Sequence, residues 1–254
     1  VIAVKREEAG TGGSKSLVDD TRVGDRLQVS APVNDFELKG NPARYVFIAG
    51  GIGITPILSM IHHLRTTGGK PFKLYYLTRE PEQTAFLEEL SGPEYRGKVV
   101  IHHDHGNPDD SFDLWPVLEH PKGAHIYCCG PRGLMEAVRD MTGHWTPSSV
   151  NFEDFGAQKH ASAENDTPFT VRLHKTGEAI PVPAGVSILE ALRVNGHHVP
   201  YSCESGTCGS CRSTLIEGEA DHRDLVLSEA ERVDHIMVCV SRACSKELVI
   251  DLPE

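Results

Sequence analysis

Hydrophobic and polar positions divide the chain into stretches of different period. Between residues 44 and 152, short apolar runs alternate with segments whose apolar residues recur every three or four positions. RYVFIAG reads as a buried strand, and KLYYLT, KVVIHH and HIYCC read as further strands. PILSMIHHLRT reads as a helix with Pro56 at its first position, and helical patterns follow near Thr84 to Leu90, Phe112 to Leu118 and Leu134 to Met141. Strands alternating with helices imply right-handed βαβ units, hence a doubly wound parallel sheet of the kind that binds nucleotides. The opening VIAVKREE alternates apolar and polar residues as a strand does.

The pattern breaks after NFEDFG. AQKHASAENDT is polar, lacks period and reads as a linker, dividing the chain at about residue 160. FTVRLHKTGEAIPVP then reads as a hairpin, and SILEALRVNG as a short helix opened by a capping box of Ser187 and Glu190. A second capping box, Ser228 with Glu231, opens another short helix before IMVCV.

Length and composition bound the answer. At 254 residues the chain is long enough for two or three domains, and its 39% hydrophobic and 24% charged residues are ordinary for a globular protein. No apolar run reaches the ~18 residues of a membrane span, and the first residues, VIAVKREE, lack the charged-then-apolar layout of a signal peptide. The chain starts at Val1, without Met, and that reads as a start inside a domain. A formal charge of −11 argues against nucleic acid as main partner. Residues 168 to 254 hold −5 of it and residues 1 to 167 the other −6. An acidic redox domain can steer toward a basic patch on an electron acceptor, although solvated surface explains the charge equally well.

The seven cysteines change the picture most. None precedes Cys128, and the odd count with tight spacing fits metal or redox chemistry in a reducing cytoplasm better than a disulfide framework. Cys203, Cys208 and Cys211 stand as C-x4-C-x2-C, and Cys239 follows after 27 intervening residues. That is the plant-type spacing of four thiolates holding a [2Fe-2S] cluster. Gly206 and Gly209 let the loop approach closely enough for backbone N–H groups to reach sulfur. A structural zinc site would pair two short knuckles, and a thioredoxin-like dithiol at Cys208 and Cys211 would leave Cys203 and Cys239 without a role. Cys244 reads as filler. His102, His103 and His105 cluster with Asp104 and could bind zinc, but a polar loop explains them as well.

Glycines supply a second signal. Gly50-Gly51-Ile52-Gly53-Ile54-Thr55-Pro56 runs from a buried strand into a helix, where backbone can approach a pyrophosphate and the helix N-terminus favours negative charge. Cys128-Cys129-Gly130-Pro131 ends another strand and also leads into a helix, with Cys129 a ligand neighbour or a buried filler. Strand ends converging at one edge of a parallel sheet are where ligands bind.

GGIGITP, YYLTRE, YCCGP and the closing FEDFG resemble the NAD-binding module of the ferredoxin-NADP reductase superfamily. With a C-terminal plant-type ferredoxin, the whole chain resembles the phthalate dioxygenase reductase family. The resemblance implies a fold of three parts: the last part of an antiparallel flavin-binding β-barrel (1–41), a doubly wound NAD-binding domain (42–156) and, after a linker (157–167), a β-grasp ferredoxin domain (168–254). The family's barrel has six strands, of which only the last part, up to about Asn41, corresponds to this chain.

The resemblance also implies roles. Gly51, Gly53, Thr55, Cys129 and Gly130 would flank the nicotinamide, with Thr78 and Arg79 near the adenosine half. Ala3, Val4, Lys5 and the turn of Gly12, Gly13, Ser14 and Ser16 would bind FMN, and Phe155 would pack near the flavin ring unless it fills core. The implied activity is electron transfer from NADH through FMN to the cluster and on to a Rieske-type oxygenase acting on a phthalate-like substrate. Preference for NADH comes from the family, since Arg79 could meet a 2′-phosphate. Two other readings stay open. The electron-transfer subunit of another multicomponent enzyme, such as a dihydroorotate dehydrogenase, would have a cluster segment much shorter than 87 residues. A redox sensor would use the same folds without turnover.

Overall fold

The computed structural model describes residues 2–8, 12–29, 31, 32, 34, 36–155, 166–201 and 203–253. The chain forms two compact units, 1–134 and 135–254. Most of the linker expected at 157–167 lies outside the described residues. Its last two positions are held by the second unit. Asp166 pairs with Arg223 at 2.9 Å and Arg242 at 3.3 Å, and Arg242 Nη2 donates to the Thr167 carbonyl.

In the first unit, β1 (Arg44–Gly50), β2 (Phe72–Thr78), β3 (Val99–His103) and β4 (Ala124–Cys129) lie parallel in the order β3-β2-β1-β4. β1 is buried along nearly its whole length because it is central, and parallel strands are covered on both faces. α2 (Ile54–Thr67) packs on the sheet through Ile54, Ile57, Leu58, Met60, Ile61 and Leu64, a stripe of helical period, while His62 and His63 face outward. The helix begins two residues before Pro56. A proline is tolerated anywhere in the first turn, because the first four N–H groups have no acceptor within the helix.

The shorter helices contract relative to their sequence patterns. α3 spans only Leu87–Leu90, because the Thr84 hydroxyl donates to the Glu80 carbonyl and closes a separate turn, and Phe86 sits at φ 62. α4 spans Trp115–Leu118, and Phe112 instead lies in a loop against Tyr75 and His102. The three clustered histidines bond separately: His103 Nδ1 to the Thr78 hydroxyl at 2.8 Å, His105 to Glu80 at 3.0 Å and His102 to the Asp110 carbonyl at 2.6 Å.

The strands expected before residue 41 are not formed among the described residues. Residues 2–6 are exposed, Glu7 is half-buried, and none of them joins a sheet, because alternation alone does not make a strand without a hydrogen-bonded neighbour. The helical turn α1 (Gly13–Lys15) continues into Ser16–Asp20, tied to the opening stretch by Arg6 to Asp19 at 2.9 Å. Further on, Phe36 is buried against Tyr127, and the Lys39 N–H donates to the Tyr127 hydroxyl at 2.6 Å.

The second unit takes in α5 (Arg132–Met141) from Met135 onward and β5 (Val150–Glu153). It also contains a mixed sheet in the order β10-β8-β12-β6-β7, built from β6 (Phe169–Leu173), β7 (Ala179–Val182), β8 (Arg212–Glu217), β10 (His235–Met237) and β12 (Glu247–Asp251). β6 and β7 form the expected hairpin, while β6 and β12 are parallel neighbours. β9 (Ala220–Asp221) and β11 (Arg242–Ala243) pair separately. α6 (Ile188–Val194) lays Ile188, Leu189, Ala191 and Leu192 onto this core. Ser187 caps it by accepting the Glu190 N–H at 3.1 Å. The second capping pair encloses only a single turn, Glu231–Val233, with Glu231 accepting from the Ser228 N–H and hydroxyl.

Two stability experiments follow. Ile61→Ala, at a fully buried position, is expected to cost about 2–5 kcal/mol in denaturant unfolding. The Ser228 N–H and hydroxyl, with Arg212, hold the Glu231 carboxyl below its ordinary range. Its stabilisation is therefore present above the unfolded carboxyl pKa and is lost as pH falls through the lower folded value. Glu231→Gln should be less stable than the parent at pH 7, and the two should converge in acid.

Candidate metal centre and nucleotide site

The sheet brings the distant cysteines together. β8 and β10 pair antiparallel with Arg212 opposite Met237, which sets Cys211 and Cys239, one and two residues beyond that pair, side by side although 27 residues separate them. Both are buried, while Cys203 and Cys208 are half-buried in the preceding loop. Hydrogen bonding with Cys208 lowers Cys203 and hydrogen bonding with Cys239 lowers Cys211, while Cys208 and Cys239 are raised by the same neighbours and by burial.

Backbone amides reinforce this arrangement. Ser205 and Thr207 N–H groups donate to Cys203 Sγ at 3.4 and 3.5 Å, and the Ser210 N–H donates to Cys208 Sγ at 3.5 Å. Such donors favour thiolate. Among the described residues, no three His, Cys, Asp or Glu side chains converge on a single metal ion. The plant-type spacing, with Cys239 brought beside Cys211 and amides aimed at Cys203 and Cys208, fits a [2Fe-2S] cluster. Cys244 lies apart and exposed.

Because β1 to β4 are parallel, their C-terminal ends share one edge of the first unit. Gly50, Thr78, His103 and Cys129 end the strands there. The two glycine motifs meet at this edge. A Cβ on Gly53 would lie 2.1 Å from the Cys129 carbonyl oxygen, and one on Gly130 would lie 2.9 Å from Gly50 Cα. Gly53 and Gly130 are thus required by backbone packing. Gly51 differs: a Cβ there meets nothing within 4 Å, so its backbone faces open space. The Tyr76 hydroxyl donates to the Gly51 carbonyl at 3.1 Å, and burial pushes that phenol up to about 12. Thr55 Oγ1 donates to the Ile52 carbonyl.

Thr78 is buried, bonded to Thr84 at 2.7 Å and to His103, whereas Arg79 is exposed. Cys129 belongs to the core cluster under α2, and burial raises the neighbouring Cys128 thiol. Strand register brings Gly50, Tyr76 and His103 to this edge, and Thr84 reaches it through the turn that follows β2.

The flavin candidates lie near the start of the first unit. Ala3, Val4, Lys5, Gly13 and Ser16 are exposed, and Gly12 and Ser14 are half-buried. Ser14 Oγ accepts the Glu7 N–H at 3.0 Å, which leaves its hydroxyl proton able to donate to a phosphate oxygen. Lys5 and Lys15 stand nearby but are engaged with Glu7 and Glu8. This donor set fits a phosphate. In the second unit Phe155 is 52% exposed while Phe152 is buried, so Phe152 and not Phe155 fills core.

A parallel-sheet dinucleotide edge and a four-cysteine site in one chain define an oxidoreductase that joins a nucleotide to an iron-sulfur centre. Residues 47–140 match the oxidoreductase NAD-binding domain family, and residues 171–244 match the 2Fe-2S iron-sulfur cluster binding domain family. The chain is 57% identical to the phthalate 4,5-dioxygenase oxygenase reductase subunit of Pseudomonas putida and to the phthalate dioxygenase reductase of Burkholderia cepacia. Each match spans 99% of this chain and 78% of the relative. A solved phthalate dioxygenase reductase, described as a modular structure for electron transfer from pyridine nucleotides to [2Fe-2S], aligns at 56% identity and a TM-score of 0.67. That alignment spans 98% of this chain and 78% of the other. The chain belongs to the phthalate dioxygenase reductase family.

Cys211→Ser is expected to abolish most bound iron and acid-labile sulfide. Cys244→Ser should leave both at the parent level, as iron and sulfide assays on the purified proteins will measure.

Proposed function

We propose that this protein is the reductase component of an aromatic-ring oxygenase system, moving electrons from NADH through FMN to a [2Fe-2S] cluster and on to a Rieske-type oxygenase that acts on a phthalate-like carboxylate. The observation that carries this reading is the meeting of Cys211 and Cys239 at the β8–β10 register, with Cys203 and Cys208 in the loop before them, in a chain that also carries a dinucleotide-binding sheet edge. When bound, the nicotinamide and flavin supply exchange of an electron pair and the cluster supplies carriage of single electrons.

The protein's own residues bind and orient. Gly51 offers open backbone to the dinucleotide. Thr55, Cys129 and Gly130 complete the nicotinamide side, with Gly53 keeping the turn close to the Cys129 backbone. Thr78 and Arg79 serve the adenosine half. Ser14, with Gly12, Gly13, Ser16 and the Ala3-Val4-Lys5 stretch, receives the FMN phosphate, and the exposed ring of Phe155 covers the flavin. The four cysteines hold the cluster. No side chain is asked to act as nucleophile or as general acid or base. The domain limits that go with this reading are 1–41, 42–156 and 168–254. No described helix is long and apolar enough to cross a membrane, and the free thiols favour a cytoplasmic location.

Stopped-flow mixing with NADH tests the reading. Bleaching of flavin absorbance followed by loss of the cluster's visible absorbance is expected in the parent. Cys239→Ser should keep the first phase and lose delivery to the acceptor. Equal loss of both phases contradicts the order, and an inert cluster beside bound FMN contradicts the function.

A further inference from the structure

Asp224 is fully buried in the second unit, and nothing in the sequence pattern singles it out. It lies against the cluster loop. Gly206, between Cys203 and Cys208, has φ 75, and a Cβ on it would come within 3.1 Å of Asp224 Cα and 2.8 Å of a Val240 methyl. The neighbouring Leu225 N–H donates to the Gly206 carbonyl at 3.0 Å. One carboxylate oxygen of Asp224, Oδ2, accepts the N–H groups of Val226 at 3.0 Å and Leu227 at 2.7 Å, which shapes the 224–227 segment.

The other oxygen, Oδ1, is buried and faces His222 Nδ1 at 3.8 Å. His222 Nε2 lies 3.1 Å from the Arg232 carbonyl. Two arginines face the same residue, with Arg232 Nη2 and Arg139 Nη1 donating to the Asp224 backbone carbonyl at 3.2 and 3.3 Å. Burying a carboxylate costs free energy, and a neutral amide oxygen could accept the Val226 and Leu227 N–H groups as well. The charge itself is therefore the feature that needs a use.

We infer that Asp224 is a positioning residue for the cluster: its Oδ2 holds the segment that braces Gly206, and its carboxylate places a buried negative charge behind the Cys203–Cys208 loop. A negative charge in a medium of low dielectric opposes the arrival of an electron nearby. Asp224 thereby sets how readily the cluster is reduced without touching an iron ligand. The inference rests on cluster binding, which iron and sulfide content measures separately.

The test is a dye-mediated redox titration of the loaded full chain, read by electron paramagnetic resonance. Asp224→Asn keeps the shape and one acceptor for the Val226 and Leu227 amides. It should retain full iron and sulfide, shift the cluster midpoint potential upward and leave the rate of flavin reduction by NADH unchanged. Asp224→Ala should lower the iron and sulfide content. A midpoint potential in Asp224→Asn equal to the parent overturns the inference. Should Asp224→Asn fail to assemble, Gly206→Ala decides, because its Cβ must displace Asp224 or Val240. A changed resonance spectrum or lowered cluster content supports the bracing contact, and parent-like spectrum and potential overturn it. A parent protein without iron would instead overturn the cluster reading itself.

Discussion

The antiparallel register that sets Arg212 opposite Met237 is the constraint on which the metal centre depends. It converts a separation of 27 residues into adjacency of Cys211 and Cys239, and it does so inside a core that includes Ile236, Met237, Val238 and Leu215. A slip of one residue would turn every side chain of β10 to the opposite face. The register is further fixed by helix α6, whose Leu189 N–H donates to the Val238 carbonyl at 2.9 Å. Half of the ligand set is therefore placed by the ends of two paired strands, Cys211 just before β8 and Cys239 just after β10. The other half sits in a loop and is shaped by local amides donating to Cys203 and Cys208.

The nucleotide edge follows a different logic. There the decisive quantity is how near two backbones come, and Gly53 against Cys129 and Gly50 against Gly130 mark the approach. The glycines do not share one job. Gly53 and Gly130 are needed because any side chain would collide with protein, and only Gly51 leaves backbone open to a ligand. Tyr76 and the Thr78, Thr84 and His103 hydroxyl and imidazole contacts support this edge from the adjacent strands.

Some contrasts between sequence pattern and structure share a cause. The C-terminal helix and hairpin appear where period and capping residues put them, since Ser187 and the β6–β7 hairpin act over a few residues. VIAVKREE alternates as a strand does but remains unpaired, because strand formation is a property of two segments. The stretches around α3 and α4 shrink to a turn each, where Thr84 and Phe112 find side-chain partners outside the helix.

The four-cysteine spacing identifies the cluster type, and the alternation of apolar runs with helical periods identifies a parallel nucleotide-binding sheet. Both are written in short-range order, which a linear pattern can carry. Which glycine is open and which is packed, how Cys239 comes beside Cys211, that Phe152 and not Phe155 fills core, and that Asp224 stands buried behind Gly206 emerge only in the folded chain. Those outcomes depend on distances between residues far apart in the chain. They are fixed by strand register and close packing, and neither leaves a local mark in the sequence.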